Sequence, residues 1–219
     1  MATVPEREIV ECLYIDGVGL GLKSPDAATW AFGLPDVDMR PFRCTDARGL
    51  WDQLQSALQR LDAGRGGRAI MAVGEGCAAA LALASQLPVA RIVLIDPAAP
   101  VRGRWRRDRR SFPGKGPEAE GVFRTVRRLA GFARRNLPLC VSDLLIVEHG
   151  LGAGRRGGIR AYGVPVNCRA ARLLLDGESA KDLYTIREFA VKEAISRFLH
   201  TGEVPKPLAE NSEMCIIYG

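Results

Sequence analysis

Residues 69–84 constrain the fold of this chain more than any other stretch, because a strand pattern passes through a glycine turn directly into a helix pattern. The run from Ala69 to Val73 is wholly apolar, Gly74-Glu75-Gly76 follows, and small apolar residues continue from Cys77 to Ala84. A short apolar run bounded by glycine predicts a strand that is covered on both faces. Alanine and leucine favour a closely packed helix. A strand that leads straight into a helix is typical of parallel α/β sheets.

The rest of the chain repeats this alternation of strands and helices. Apolar runs predict strands at 8–15, 37–42, 91–95, 144–147 and 173–175, and apolar residues at helical spacing predict helices at 47–62, 117–136 and 183–200. The pattern predicts an α/β fold with a mostly parallel sheet of about six strands and flanking helices. With 219 residues, the chain is expected to form one domain, 1–219. This domain is expected to include a basic insertion at 101–140 and a C-terminal tail at 201–219. The tail could pair with a sheet edge of its own chain or of another chain.

The glycine turn resembles the nucleophile elbow of the α/β-hydrolase family, which reads G-x-S-x-G between a strand and a helix. Residues 15–21 (IDGVGLG) also resemble the oxyanion-loop sequence that follows an earlier strand of that family. The resemblance implies an α/β-hydrolase-like sheet that is shortened at its N-terminus, because the family's antiparallel first strands would be missing. It also implies that residues 101–140 stand where the family inserts a lid.

A gap-free alignment of the elbow puts Gly76 at the nucleophile position, so the serine is absent. Two nearby residues are alternative reactive groups: Cys77, at the start of a helix, and Glu75, at the mouth of the implied pocket. The resemblance implies that oxyanion donors survive as the backbone amides of Cys77 and of Gly17 or Val18.

The other two members of a catalytic triad are also missing from the positions that the resemblance implies. Lys181 stands where the histidine is expected, before the last helix. No aspartate or glutamate occurs between 151 and 175, where the acid is expected, although Asp96 is an alternative acid position. His149, at the end of a predicted strand, is a further candidate for a catalytic base.

Positive charge is concentrated in one segment. Residues 101–160 carry 15 lysine and arginine residues and 5 acidic residues, whereas the whole chain has a net charge of +6. Clustered arginine around a tryptophan suits an acidic protein surface, RNA or a small anionic ligand, and it is equally typical of a solvated face. The candidate anion- or partner-binding residues are Arg102, Arg104, Trp105, Arg106, Arg107, Arg109, Arg110, Arg127, Arg128, Arg134 and Arg135.

Cysteine and histidine usage argues against a metal site or a disulfide framework. Six scattered cysteines form no CxxC pair, and the chain has only two histidines, so no metal is expected. The glycines after the first strand lack the G-x-G-x-x-G spacing of a dinucleotide site, so no cofactor is expected. The sequence has no apolar run long enough for a transmembrane segment and no signal-peptide pattern. Together with the expected reduced thiols, this predicts an intracellular, reducing compartment, either the cytoplasm or an organelle.

Together these observations predict a catalytically inactive α/β-hydrolase-like protein that binds or scaffolds as an accessory subunit of a larger assembly. One alternative is an active hydrolase or acyltransferase that uses Cys77, Glu75 or His149. Another is binding of RNA or an anionic partner through the arginine-rich 101–160 segment.

Overall fold

The computed structural model describes residues 9–17, 20, 34, 36–46, 48–62, 67–97, 125, 128, 141–149, 169–175, 187–203 and 213–217. For 149, 174–175, 187–190 and 213–217 the description covers the backbone. The strands are β1 (Val10–Ile15), β2 (Val37–Pro41), β3 (Ala69–Val73), β4 (Val89–Ile95), β5 (Val141–His149), β6 (Arg169–Leu175) and β7 (Glu213–Ile217). The helices with described bounds are α1 (Leu50–Gln59), α2 (Gly76–Ala84) and α3 (Arg187–Thr201).

The strands form one sheet in the order β2-β1-β3-β4-β5-β6-β7. Strands β1 to β6 pair in parallel, and β7 pairs with β6 in the antiparallel direction. The predicted α/β fold with a mostly parallel sheet is confirmed. The C-terminal tail adds a seventh strand, β7, on an edge of its own sheet.

Helices cover both faces of the sheet, as the apolar strands require. On one face α1 contributes Leu50, Leu54 and Leu58, and all nine residues of α2 are buried. On the other face α3 packs Ile195, Phe198 and Leu199 against the strands. Each buried leucine or phenylalanine side chain contributes roughly 1.5–3 kcal/mol to the stability of such a core.

Most predicted elements are found with shifted bounds. The helix predicted at 47–62 spans Leu50–Gln59, and the helix predicted at 183–200 is described as Arg187–Thr201. Thr125 and Arg128, from the predicted 117–136 helix, are both helical, whereas the rest of the predicted 101–140 insertion lies outside the described residues. Within the described part of the chain, no helix combines the length and apolar character needed to cross a bilayer.

Candidate functional site

The strand order reverses at β1, which lies between β2 and β3 in the sheet. From β1 the chain passes to the neighbour on one side, β2, and then crosses back to β3 on the other. In open parallel sheets, ligands bind in the crevice at the carboxyl ends of the strands where this reversal occurs. Here that crevice lies between Gly17, which follows β1, and the strand-to-helix turn Gly74-Glu75-Gly76, which follows β3.

The strand-to-helix turn has its positive φ at Gly74. Gly74 has a φ of +56°, and its amide donates to the carbonyl of Ile95 at 2.9 Å. Glu75 is helical in conformation, with φ −66° and ψ −25°, and Gly76 is already the first residue of α2. Glycine adopts the left-handed region at little cost, so the sharp bend is made at Gly74, two residues before the position that the gap-free alignment indicates.

The two glycines of the turn differ in the space around them. A Cβ atom at Gly74 would have no neighbour within 4 Å. A Cβ atom at Gly76 would overlap the carbonyl oxygen of Ile15 and would lie 2.7 Å from its carbonyl carbon and 3.2 Å from Cα of Asp16. Gly76 is therefore the point where α2 packs directly on the end of β1.

The amide of Cys77 is already engaged within the turn. It donates to the carbonyl of Gly74 at 3.3 Å, as the next amide, of Ala78, does to Glu75 at 3.3 Å. The Cys77 amide, one of the predicted oxyanion donors, therefore already has a hydrogen-bond partner. Of the other two predicted donors, Gly17 lies at the end of β1 and Val18 is outside the described residues.

The thiol of Cys77 is sealed between α2 and the sheet. The residue is fully buried, and Sγ donates to the carbonyl oxygens of Ala72 at 3.4 Å and Ile95 at 3.7 Å. Burial raises the pKa of this thiol well above its usual value, and the nearby Asp96 and Glu75 carboxylates raise it further. A neutral thiol is a poor nucleophile, so this environment disfavours Cys77 as a reactive group.

Acidic side chains follow several strands at the carboxyl edge of the sheet. Asp16 follows β1 and is buried, and Asp96 follows β4 with a φ of +44° and an amide that donates to the carbonyl of Val147 at 2.8 Å. Glu148, near the end of β5, is buried in an ion pair with Arg172 of β6.

The Glu148–Arg172 pair is a feature that the sequence-based predictions missed. A signal was present, because Arg172 interrupts the otherwise apolar run AARLLL of β6. A charge inside a buried strand needs a partner, and the neighbouring strand contains a single glutamate.

Most of the remaining predicted site residues lie outside the described residues. Among the described residues, no group of histidine, cysteine and acidic side chains could hold a metal ion. His149 ends β5, and its backbone alone is described, while Arg128 is exposed and helical. Outside the described residues lie Lys181, Arg102, Arg104, Trp105, Arg106, Arg107, Arg109, Arg110, Arg127, Arg134 and Arg135.

Comparison with known proteins identifies the fold. No family model matches the sequence, and no curated protein matches it. The structure is similar to the NocB thioesterase domain from the nocardicin cluster, solved as a covalent complex with a fluorophosphonate nocardicin G analogue. The TM-score is 0.52 with 16% identity, over 91% of this chain and 97% of that one.

Two further solved structures have a similar fold. The Francisella virulence factor BioJ has a TM-score of 0.54 and 13% identity, over 89% of this chain and 78% of that one. The RedJ thioesterase of the prodiginine pathway in Streptomyces coelicolor has a TM-score of 0.50 and 14% identity, over 89% of this chain and 92% of that one. The chain has the α/β-hydrolase fold, as its elbow sequence predicts.

Proposed function

We propose that this α/β-hydrolase-fold protein acts by binding rather than by hydrolysis, as an accessory or scaffolding subunit of a larger assembly. One observation carries the proposal: neither the sharp residue of the strand-to-helix turn nor the cysteine that follows the turn offers a reactive nucleophile. Gly74 and Gly76 have none, and the thiol of Cys77 is buried and neutral.

The conformation of the turn supports Gly74 as the position that a nucleophile would occupy. In hydrolases of this fold the nucleophile stands on the sharp, strained residue between strand and helix. That residue is Gly74 here, and the space around its Cβ position is open. The motif then reads Ala72-Val73-Gly74-Glu75-Gly76, and the small residue at its end is required by the contact with Ile15.

The charges around the turn also support a non-hydrolytic role. Acyl transfer builds negative charge on an oxyanion, which hydrolases stabilise with hydrogen-bond donors and positive groups. Here the carboxylates of Glu75 and Asp96 lie close enough to Cys77 to raise the pKa of its thiol. The same carboxylates would oppose an oxyanion that forms beside the turn.

The competing proposal is an active hydrolase or acyltransferase with an unusual site. Its support is the likeness in fold to the NocB and RedJ thioesterases, and Glu75 or His149 would then act as general base. Esterase turnover by the pure protein that is lost in Glu75→Gln or His149→Ala is the test of this alternative, because a general base that activates water forms no covalent adduct.

Intact mass spectrometry after treatment with a fluorophosphonate, and separately with iodoacetamide, tests the proposal. We expect no fluorophosphonate adduct, and peptide mapping after alkylation should find Cys77 unmodified in the folded protein. Stoichiometric fluorophosphonate labelling, or rapid alkylation of Cys77, would overturn the proposal.

Two cysteine substitutions provide a matched control for the same experiment. Gly74→Cys should fold and give a thiol that iodoacetamide modifies rapidly, because that position is open. Gly76→Cys should unfold at a lower urea concentration and, under conditions where it is folded, react slowly, because its side chain would meet the backbone of Ile15. Equal reactivity of the two variants would contradict the assignment of Gly74 as the nucleophile position.

The concentration of positive charge in 101–160 supports a second candidate function, binding of RNA or another anionic partner. Such binding releases counterions, so the affinity for a single-stranded RNA should fall steeply with salt. Replacing Arg106, Arg107, Arg109 and Arg110 with alanine should reduce both the affinity and the salt dependence. Unchanged binding after these replacements would remove this candidate.

A further inference from the structure

A groove with a volume of about 790 Å³ lies between α1 and the strands β1 and β2. Its floor includes Glu11 and Arg40, and one wall is formed by α1 from Asp52 onward together with Arg60, the residue that follows α1. None of the residues of the strand-to-helix turn lines it, so the groove is separate from that turn. The volume falls within the range of small-molecule sites.

Hydrogen bonds fix both ends of this groove. At one end Oε1 of Gln53 accepts from the amide and hydroxyl of Thr45, at 2.9 and 3.0 Å, and Nε2 of Gln53 donates to the carbonyl of Asp46 at 2.9 Å. At the other end Glu11 accepts from Arg40 at 2.9 Å and from the amide of Asp62 at 2.6 Å. The hydrogen bond from the Asp62 amide has the larger effect on the pKa of Glu11, and the one from Arg40 has the next largest. Both lower this pKa and keep the carboxylate ionised.

The groove has more hydrogen-bond donors than acceptors. A guanidinium has five N–H donors, and three of these groups line the groove. Arg40 uses one nitrogen, Nη2, for its contacts with Glu11 and Asp38. Within the described residues, neither Arg43 nor Arg60 forms an ion pair. Both oxygens of Glu11 are already engaged, so a ligand that supplies acceptors and negative charge suits the two remaining arginines.

We propose that this groove binds a small phosphorylated molecule through Arg43 and Arg60, with Arg40 supporting them from the floor. Phosphate combines negative charge with several acceptor oxygens, which is the chemistry that unpaired guanidinium groups recognise. Asp52 lines the same groove and repels such a ligand, so it limits the affinity. The proposal is independent of whether the protein hydrolyses anything.

Titration calorimetry with inorganic pyrophosphate on the full chain tests the groove. We expect one binding site in the wild type and at least about tenfold weaker binding in the Arg43→Ala/Arg60→Ala variant. Asp52→Asn should bind more tightly than the wild type, because a repulsive charge is removed. The thermal midpoint without ligand should stay unchanged in the double variant, since both arginines are exposed and make no ion pair within the described residues.

Arg48→Ala is the matched control, because Arg48 is exposed near the groove but does not line it. It should bind pyrophosphate as the wild type does. Absence of binding to the wild type, unchanged binding in the double variant, or equal weakening by Arg48→Ala would overturn the proposal. Tighter binding of a single-stranded RNA that depends on Arg43 and Arg60 would also overturn it and would make the groove part of an RNA surface.

Discussion

Two glycines in the strand-to-helix turn are glycine for different physical reasons. Gly74 has a φ of +56°, which other residues adopt at a cost of about 1–2 kcal/mol, but the space around its Cβ position is open. Gly76 is the first residue of α2, and a side chain there would meet the backbone of Ile15. One glycine is required by conformation, and the other is required by packing.

We expect Gly76→Ala to destabilise the protein more than Gly74→Ala. A backbone carbonyl cannot rotate away as a side chain can, so α2 would have to shift from β1, whereas Gly74→Ala adds the conformational term alone. Urea denaturation of both variants measures the difference in the free energy of unfolding. A Gly74→Ala variant that is less stable than Gly76→Ala would contradict this explanation.

The buried thiols make stability depend on alkaline pH. Burial raises the pKa of Cys12 from 9.0 to about 12. The folded state therefore keeps its proton after the unfolded state has lost it. The stabilisation is fully present below about pH 9 and is lost as the pH rises towards 12.

We expect the free energy of unfolding to decrease as the pH rises above 9, because the unfolded state then loses a proton that the buried Cys12 thiol retains. In Cys12→Ala the decrease should be smaller, because the titrating group is absent. Urea denaturation at pH 8, 9 and 10 measures both slopes. Parallel slopes in the wild type and the variant would show that Cys12 does not carry the effect.

At the scale of elements, a row of charges across three strands secures the end of α3. Arg91 of β4, Asp143 of β5 and Arg169 of β6 are aligned in register. Arg169 donates to Asp143 at 2.7 Å and to the carbonyl of Gly202 at 2.8 Å, and Arg91 donates to the carbonyl of Leu199 at 2.6 Å. Cations at a helix C-terminus bind the carbonyls that lack an intrahelical partner.

Gly202 ends α3 in a crowded position, and we expect Gly202→Ala to cost more than Gly74→Ala. Both glycines have a positive φ, but a Cβ at Gly202 would lie 2.5 Å from Oδ2 of Asp143. The difference in unfolding free energy between the two variants therefore reports this contact. In an Asp143→Ala background the cost of Gly202→Ala should become smaller, and strictly additive costs would contradict the contact.

The same charged row explains why strand bounds were predicted too short. Apolar content predicts strands at 144–147 and 173–175, whereas β5 begins at Val141 and β6 at Arg169. Asp143 interrupts the apolar pattern of β5 and Arg172 interrupts that of β6, but each forms an ion pair with the other strand, Asp143 with Arg169 and Arg172 with Glu148. Pairing between strands is invisible in either strand alone, so periodicity underestimates their length.

At the scale of the whole molecule, β7 covers the edge of β6 with an antiparallel strand. An uncovered strand exposes a row of backbone donors and acceptors and invites association. We expect a chain that lacks 213–219 to have a lower thermal midpoint and to associate with increasing concentration. Light scattering after size exclusion measures this. A chain that lacks only 218–219 keeps β7 and should behave as the wild type, and a stable monomer without 213–219 would contradict the expectation.

The sequence by itself determined the alternation of strands and helices, the class of fold and the strand-to-helix turn, because apolar periodicity and glycine placement are local properties. Tertiary structure decided which residues meet. It put the bend at Gly74 rather than Gly76, paired Glu148 with Arg172, placed β7 on β6, and left Arg43 and Arg60 beside α1 in a groove. Each of these depends on contacts between segments far apart in the chain, and no local pattern encodes their distances.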